Sequence, residues 1–232
     1  MTFGQFLGKV LRRWNRIWLQ PIRVFCFHQV SDKFEPETMM ECDWIQTEQF
    51  KWKMLELKKK YSFISLPDAH EHLLTDKIRI KRFAVLTSDD GWASLNNILP
   101  WLAKQNIPLT IFVNPLYLDG KHYRECTTEK YLTKEDLDSL EVQYKIFSVA
   151  SHGWEHKNVL LYSESEFRDN IEKSYRMLHL LSCYIPYYAY PWGKHNMVSD
   201  GILREYGLTP VLMDGMKNDK DPSVIHRELL MK

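Results

Sequence analysis

Arg82-Phe83-Ala84-Val85-Leu86-Thr87-Ser88-Asp89-Asp90-Gly91 decides how the rest of the chain is read. An apolar run of strand length ends in two adjacent carboxylates and a glycine, which on its own is an ordinary turn sequence. About sixty residues on, a second strand-like run ends in Ser151-His152-Gly153-Trp154-Glu155-His156. One carboxylate and two imidazoles can form a facial metal site, and the other carboxylate is then left to act as a base. Either pattern alone is common; the information lies in their pairing at strand ends.

Working outward, strand-like runs occur at residues 22–27, 62–66, 83–87, 109–113, 145–150, 187–190, 208–213 and 224–230. Helical patterns separate most of them. Thr47 caps a helix through Lys60, Pro67 opens a short one, and Ser94 begins one through Gln105. Ser163-Glu164-Ser165-Glu166 is a capping box for a helix to about Ser182, and Gly207 closes a helix from Val198 to Tyr206. This alternation implies parallel strands with crossover helices, in a barrel or an open doubly wound sheet. The unusual polar residues His28, Asp89, Asp90, His152, Pro191 to Gly193 and Asp214 gather at C-terminal strand ends, and a barrel brings such ends to one rim.

The chain has 232 residues, 44% hydrophobic and 13% aromatic, enough for one domain with a full core. A net charge of +1 argues against a generally basic nucleic-acid binder. Cys26, Cys42, Cys126 and Cys183 show neither disulfide-framework nor zinc-ribbon spacing. No stretch reaches the roughly twenty apolar residues of a membrane span, and no signal peptide is seen, so a cytoplasmic location is expected if Met1 is the true start.

In these motifs the chain resembles the polysaccharide deacetylases that share the NodB-homology fold, the carbohydrate esterases of family 4. Their first motif, Thr-Phe-Asp-Asp-Gly, is matched by Thr87 to Gly91, and their second, Ser/Thr-His-x-x-x-His, by Ser151 to His156. The third is similar to Ala189-Tyr190-Pro191-Trp192-Gly193, in the form of the poly-N-acetylglucosamine deacetylase branch. Val224-Ile225-His226 approaches a further motif, Leu-x-His. The resemblance implies a distorted (β/α) barrel of about seven strands over residues 22–232; residues 1–21 lie outside the resemblance and read as an amphipathic helix from their own spacing. It implies removal of an N-acetyl group from an amino sugar of a glycan. Asp90, His152 and His156 would hold a divalent metal, most simply Zn2+, with Co2+ or Ni2+ able to take the same place. Asp89 would be the base, the Trp192 peptide N–H an oxyanion donor, and His226 the acid that protonates the leaving nitrogen.

His28 competes with His226 for the acid role, and Asp214 is placed to orient either imidazole or to form a turn with Gly215. Ser88 replaces the large residue usual before Asp-Asp, which predicts a packing change beneath the site. Ala189 stands where many relatives carry an arginine that steadies the base, and Arg227 is the candidate substitute from the last strand. Tyr117, Tyr123, Tyr131 and Trp44 lie on two long connections and suit either sugar stacking or packing over the barrel mouth.

Residues 3–19 place Phe3, Phe6, Leu7, Val10, Leu11, Trp14, Ile17 and Trp18 at helical spacing, with Lys9, Arg12, Arg13 and Arg16 on another face. Such a helix can lie in an anionic membrane interface, or pack on the barrel or in a dimer. Two other functions stay open: a binding protein of the same fold that has lost turnover, and a membrane-associated scaffold in glycan assembly.

Overall fold

The computed structural model describes residues 22–32, 44–75, 81–120, 130–218 and 221–230. The amphipathic segment at 3–19, together with Cys42, Tyr123 and Cys126, lies outside the described residues. The strands are β1 (Arg23–Phe27), β2 (Gln29–Val30), β3 (Trp44–Ile45), β4 (Ser62–Phe63), β5 (Phe83–Ser88), β6 (Leu109–Val113), β7 (Phe147–Ser151), β8 (Tyr184–Ala189), β9 (Thr209–Leu212), β10 (Ile225–His226) and β11 (Glu228–Leu229). The main sheet runs β10-β9-β8-β7-β6-β5-β1-β11, with β4 added against β5 and β2-β3 forming a separate small ladder. Its pairings are parallel throughout.

The two ends of that path, β10 and β11, are separated in sequence only by Arg227. One broken strand therefore bonds to β9 on one side and to β1 on the other. Arg227 N–H donates to the Leu212 carbonyl and Leu230 N–H to the Cys26 carbonyl, both at 2.8 Å. The result is a nearly closed barrel of seven staves, as expected, and not an open sheet.

Side chains alternate across a strand, so parity assigns each residue to the lumen or to the outer layer. Val24, Val85, Phe112, Ala150, Ala189, Val211 and Ile225 form one buried cluster inside the barrel. Phe25, Phe27, Leu86, Leu109, Ile111, Val113, Phe147 and Val149 belong to another, packed beneath the helices. Counting on by two from Val85, Ala150 and Ile225 reaches Asp89, His152 and Arg227, so the pattern that builds the core also aims the polar groups inward.

The helices are α1 (Thr47–Lys58), α2 (Leu66–Leu74), α3 (Leu99–Lys104), α4 (Lys134–Gln143), α5 (Glu164–Leu178) and α6 (Met197–Glu205). Thr47 is the first helical residue of α1 and does not cap it; Gln46 holds that position. The helix expected from Ser94 to Gln105 is split into a 3-10 turn, Ala93–Asn97, and α3. Pro100 explains the break: it has no N–H to bond back to the Asn96 carbonyl, and it is tolerated only in the first turn of α3. α5 starts on the expected Ser163–Glu166 capping box but ends at Leu178. β8 begins earlier than expected because Pro186 is absorbed where the β7–β8 register shifts between Val149–Tyr184 and Ser151–Tyr188. No described helix is long and apolar enough to cross a membrane.

Candidate active site and metal centre

β5 carries two carboxylates past its C-terminal end into different surroundings. Asp89 points into the lumen, where Arg227 reaches it with a two-pronged ion pair, Nη1–Oδ1 2.6 Å and Nη2–Oδ2 2.8 Å. Both side chains are buried. Arg227 Nη1 also donates to Thr87 Oγ1 at 3.2 Å, and the guanidinium stands 5.0 Å from the centre of the Phe112 ring. Burial alone would raise the Asp89 pKa, but the charge and hydrogen bonds of Arg227 hold the carboxyl well below its usual range. Burial pushes the Cys26 thiol well up, so it stays neutral beside the guanidinium. Arg227, the candidate substitute for an arginine at Ala189, is thus buried and paired with Asp89, and not at the surface.

Asp90 turns the other way. It takes a left-handed backbone (φ 70°), as does Gly91 (φ 71°), where a Cβ would lie 2.8 Å from Val113 Cγ1. A non-glycine residue in that region carries strain of about 1–3 kcal/mol, which is tolerated where the surrounding structure fixes it. Trp92 Nε1–H donates to Asp90 Oδ2 at 3.1 Å. The other oxygen, Oδ1, is 3.6 Å from His152 Nε2 and 3.3 Å from His156 Nε2. Among the described residues, Asp90, His152 and His156 form the group whose ligand atoms converge, all within 4.8 Å of one another.

The chemistry of this donor set fits a cation. His152 Nδ1 lies 2.8 Å from the Ala189 carbonyl, which only accepts, so that nitrogen carries the proton and Nε2 presents a lone pair to Asp90. Burial pushes the His152 pKa down, against the pull of Asp89 and Asp90, and keeps the ring neutral. A lone pair then faces a carboxylate oxygen, an arrangement that a shared cation turns from repulsive to favourable.

The His152–His156 segment is held at several points. Asn114 Nδ2 donates to the carbonyls of His152 and Gly153, and Leu116 N–H to that of Trp154. Asn170 Oδ1 accepts Trp154 N–H at 3.0 Å, while its Nδ2 donates to the Tyr162 hydroxyl, which donates to Glu155. Gly153 has φ +80°, and a Cβ there would sit 2.9 Å from the Tyr188 hydroxyl oxygen. None of Asn114, Asn170 or Tyr162 was singled out in the sequence: a lone asparagine after a strand reads as a turn, and Asn170 and Tyr162 read as ordinary residues in and before a helix.

On the opposite side, β8 leads into Pro191-Trp192-Gly193, a turn closed by Gly193 N–H to the Tyr190 carbonyl at 2.9 Å. Trp192 is left-handed (φ 62°, ψ 6°), 59% exposed, and edge-on to the His156 ring at 4.9 Å. It stands at the rim and does not seal the lumen. His226 Nδ1 is 2.8 Å from Asp214 Oδ2, while Asp214 Oδ1 also accepts Met216 N–H, so Asp214 both orients this imidazole and forms the turn. Buried Asn218 clamps the His226 backbone, accepting from its N–H at 2.7 Å and donating to its carbonyl at 2.6 Å. His28 follows β1 beside the Phe27–Ser88 pair, and its carbonyl accepts from the buried Ser88 hydroxyl at 3.4 Å. Tyr117 and Tyr131 are buried and stack on each other, and Tyr131 also stacks on Trp92, so packing, and not sugar stacking, describes them.

Comparison with known proteins agrees with this geometry. IcaB from Ammonifex degensii superposes with a TM-score of 0.78 at 21% identity, covering 91% of this chain and 92% of that one. The Streptococcus pyogenes deacetylase PplD gives 0.77 at 17%, over 90% and 92%. The BpsB deacetylase domain from Bordetella bronchiseptica gives 0.68 at 22%, over 90% and 95%. At such identities the likeness shows a shared fold. No curated protein sequence matches the chain. The sequence model of the family described as polysaccharide deacetylase matches residues 76–211, more than half the chain and both motifs, and the chain belongs to the polysaccharide deacetylase family.

Proposed function

We propose that the protein is a metal-dependent hydrolase that removes the acetyl group from an N-acetylated amino sugar in a polysaccharide or glycan precursor. The observation that carries this reading is the convergence of Asp90, His152 and His156 next to an Asp89 that Arg227 keeps ionised and aimed into the same lumen. An amide is a poor electrophile with a poor leaving group, so its hydrolysis needs an activated water, a stabilised oxyanion and a proton for the amine. A divalent metal held by the three ligands, Zn2+ on donor chemistry, supplies Lewis acidity that lowers the pKa of water and polarises the acetyl carbonyl.

The chain's own groups divide the remaining work. Asp89, which Arg227 keeps ionised, would accept the proton of the attacking water, and the two-pronged ion pair holds both of its oxygens in register. The Trp192 peptide N–H donates to the developing oxyanion. His226, its Nδ1 engaged by Asp214, offers Nε2–H to the departing nitrogen. The guanidinium beside Asp89 favours turnover over a binding-only role, because a module that merely holds sugar has no use for a clamped base. Contact of residues 3–19 with an anionic membrane belongs to the same proposal and rests on their sequence alone. Acetate release from a panel of N-acetylated oligosaccharides, before and after chelation, tests the reading; a rate that ignores removal of metal overturns it.

A further inference from the structure

Asp90 is held from behind by a stack of three aromatic rings drawn from separate segments. Trp92 lies 4.6 Å from Tyr131 at 21°, and Tyr131 lies 4.8 Å from Tyr117 at 21°. All three are buried. The backbone reinforces the stack: Ala93 N–H donates to the Lys130 carbonyl and Leu132 N–H to that of Gly91, so residues 130–132 grip the backbone on both sides of Trp92. Tyr117 sits in the 3-10 turn Pro115–Asp119, whose neighbours Asn114 and Leu116 hold the backbone of His152, Gly153 and Trp154. One turn after β6 therefore braces both halves of the ligand set, the imidazoles through its backbone and Asn114, the carboxylate through the ring stack.

We infer that Trp92 is a positioning residue for the metal centre: its indole N–H engages Asp90 Oδ2, so that the carboxylate gives the ion Oδ1 alone, and Tyr131 and Tyr117 lock the indole in that pose. This rests on the metal-binding reading above. A carboxylate with one oxygen occupied by a protein donor binds through the other; without that donor it can rotate or chelate, and the ligand set loses its fixed shape. Outer partners of this kind typically change metal affinity about 10–100-fold. Phenylalanine keeps a flat ring in the stack but has no N–H, so the two contributions can be separated.

Zn2+ affinity is measured by chelator competition on the full chain for wild type, Trp92→Phe and Tyr131→Leu, alongside the thermal midpoint of each metal-free protein. Trp92→Phe is expected to weaken Zn2+ binding about 10–100-fold while moving the metal-free midpoint little. The visible band of the Co2+-loaded variant should also weaken as the freed carboxylate raises the coordination number. Tyr131→Leu keeps the N–H but loosens its support, and should fall between wild type and Trp92→Phe. Wild-type binding with Trp92→Phe equally tight overturns the inference and leaves the metal reading intact. Tyr131→Leu binding as tightly as wild type overturns the bracing role of the stack, whether or not Trp92→Phe folds. A wild-type protein that takes up no Zn2+ overturns the metal reading and, with it, this inference.

Discussion

On the β5–β7 side of the barrel mouth Asp89, Asp90 and His152 are 3%, 5% and 2% exposed, whereas on the β8–β10 side Trp192 is 59% exposed and Met216 63%. The first side is locked by a bidentate ion pair, asparagine clamps and stacked rings; the second has one clamped imidazole and an open indole. On the proposed function, the difference follows from what each side would handle. An ion and a base need fixed positions in a low dielectric, where charges act strongly and no reorganisation is required during reaction. A sugar must arrive and an amine depart, so the groups that meet them stand at the edge.

If that division holds, changes on the enclosed side should be the most damaging. His152→Ala or Asp90→Asn should empty the metal site and lower acetate release by about a thousandfold or more, the several kcal/mol that a Lewis acid contributes; unchanged metal content in both variants breaks the comparison outright. Arg227→Met leaves Asp89 charged and buried without a counterion, and should cost about 3–5 kcal/mol of stability in a denaturant titration. Adding Asp89→Asn should recover much of that loss, since the unpaired charge is what makes it large. Asp89→Asn alone should keep its metal and lose about a hundredfold or more in turnover, the scale for a missing general base.

On the open side the effects should be smaller and depend on substrate. His226→Ala should keep its metal and slow hydrolysis by about a hundredfold for amines that need a proton, with a lesser defect where the leaving group needs none; an equal defect across leaving groups removes His226 from the acid role. Trp192→Ala leaves the backbone N–H in place and should raise KM by about fivefold, the worth of one ring contact, with kcat little changed. A larger fall in kcat would mean that the rim is as finely set as the interior.

The convergence of Asp90, His152 and His156 and the placing of both carboxylates were legible in the sequence because each chemical unit is local: Asp89 and Asp90 are adjacent, His152 and His156 four apart, and period two turns Asp89 and His152 toward the lumen. The barrel was legible for the same reason, through repeated apolar runs with polar ends. α4 was not, because Thr133 to Gln143 presents only Leu137, Leu140 and Val142 among polar residues, and its start rests on a Thr133–Asp136 capping box inside that polar run. Arg227 could be nominated but not placed; an arginine at a strand end reads as surface until the strand is known to break there. Asn114, Asn170 and Asn218 act through carbonyls and amides of distant segments, and nothing in their neighbours announces those partners.

The broken last strand also sets an order of events during synthesis. Asp89 and Arg227 are 138 residues apart, and β11 is the stave that meets β1. A ribosome that has made β1 to β9 has made both carboxylates and both histidines, yet the nascent chain has no guanidinium for Asp89 and no strand to shut the gap between β9 and β1. Contacts of such long range slow folding, since their closure entropy is lost before they give anything back. Until Arg227 emerges, a collapsed lumen would bury a lone carboxylate, so the interior favours staying wet and unsealed. On the proposed function, the Asp89–Arg227 pair would thus double as a completion signal, since only a chain translated through β11 can both close the barrel on β1 and neutralise Asp89.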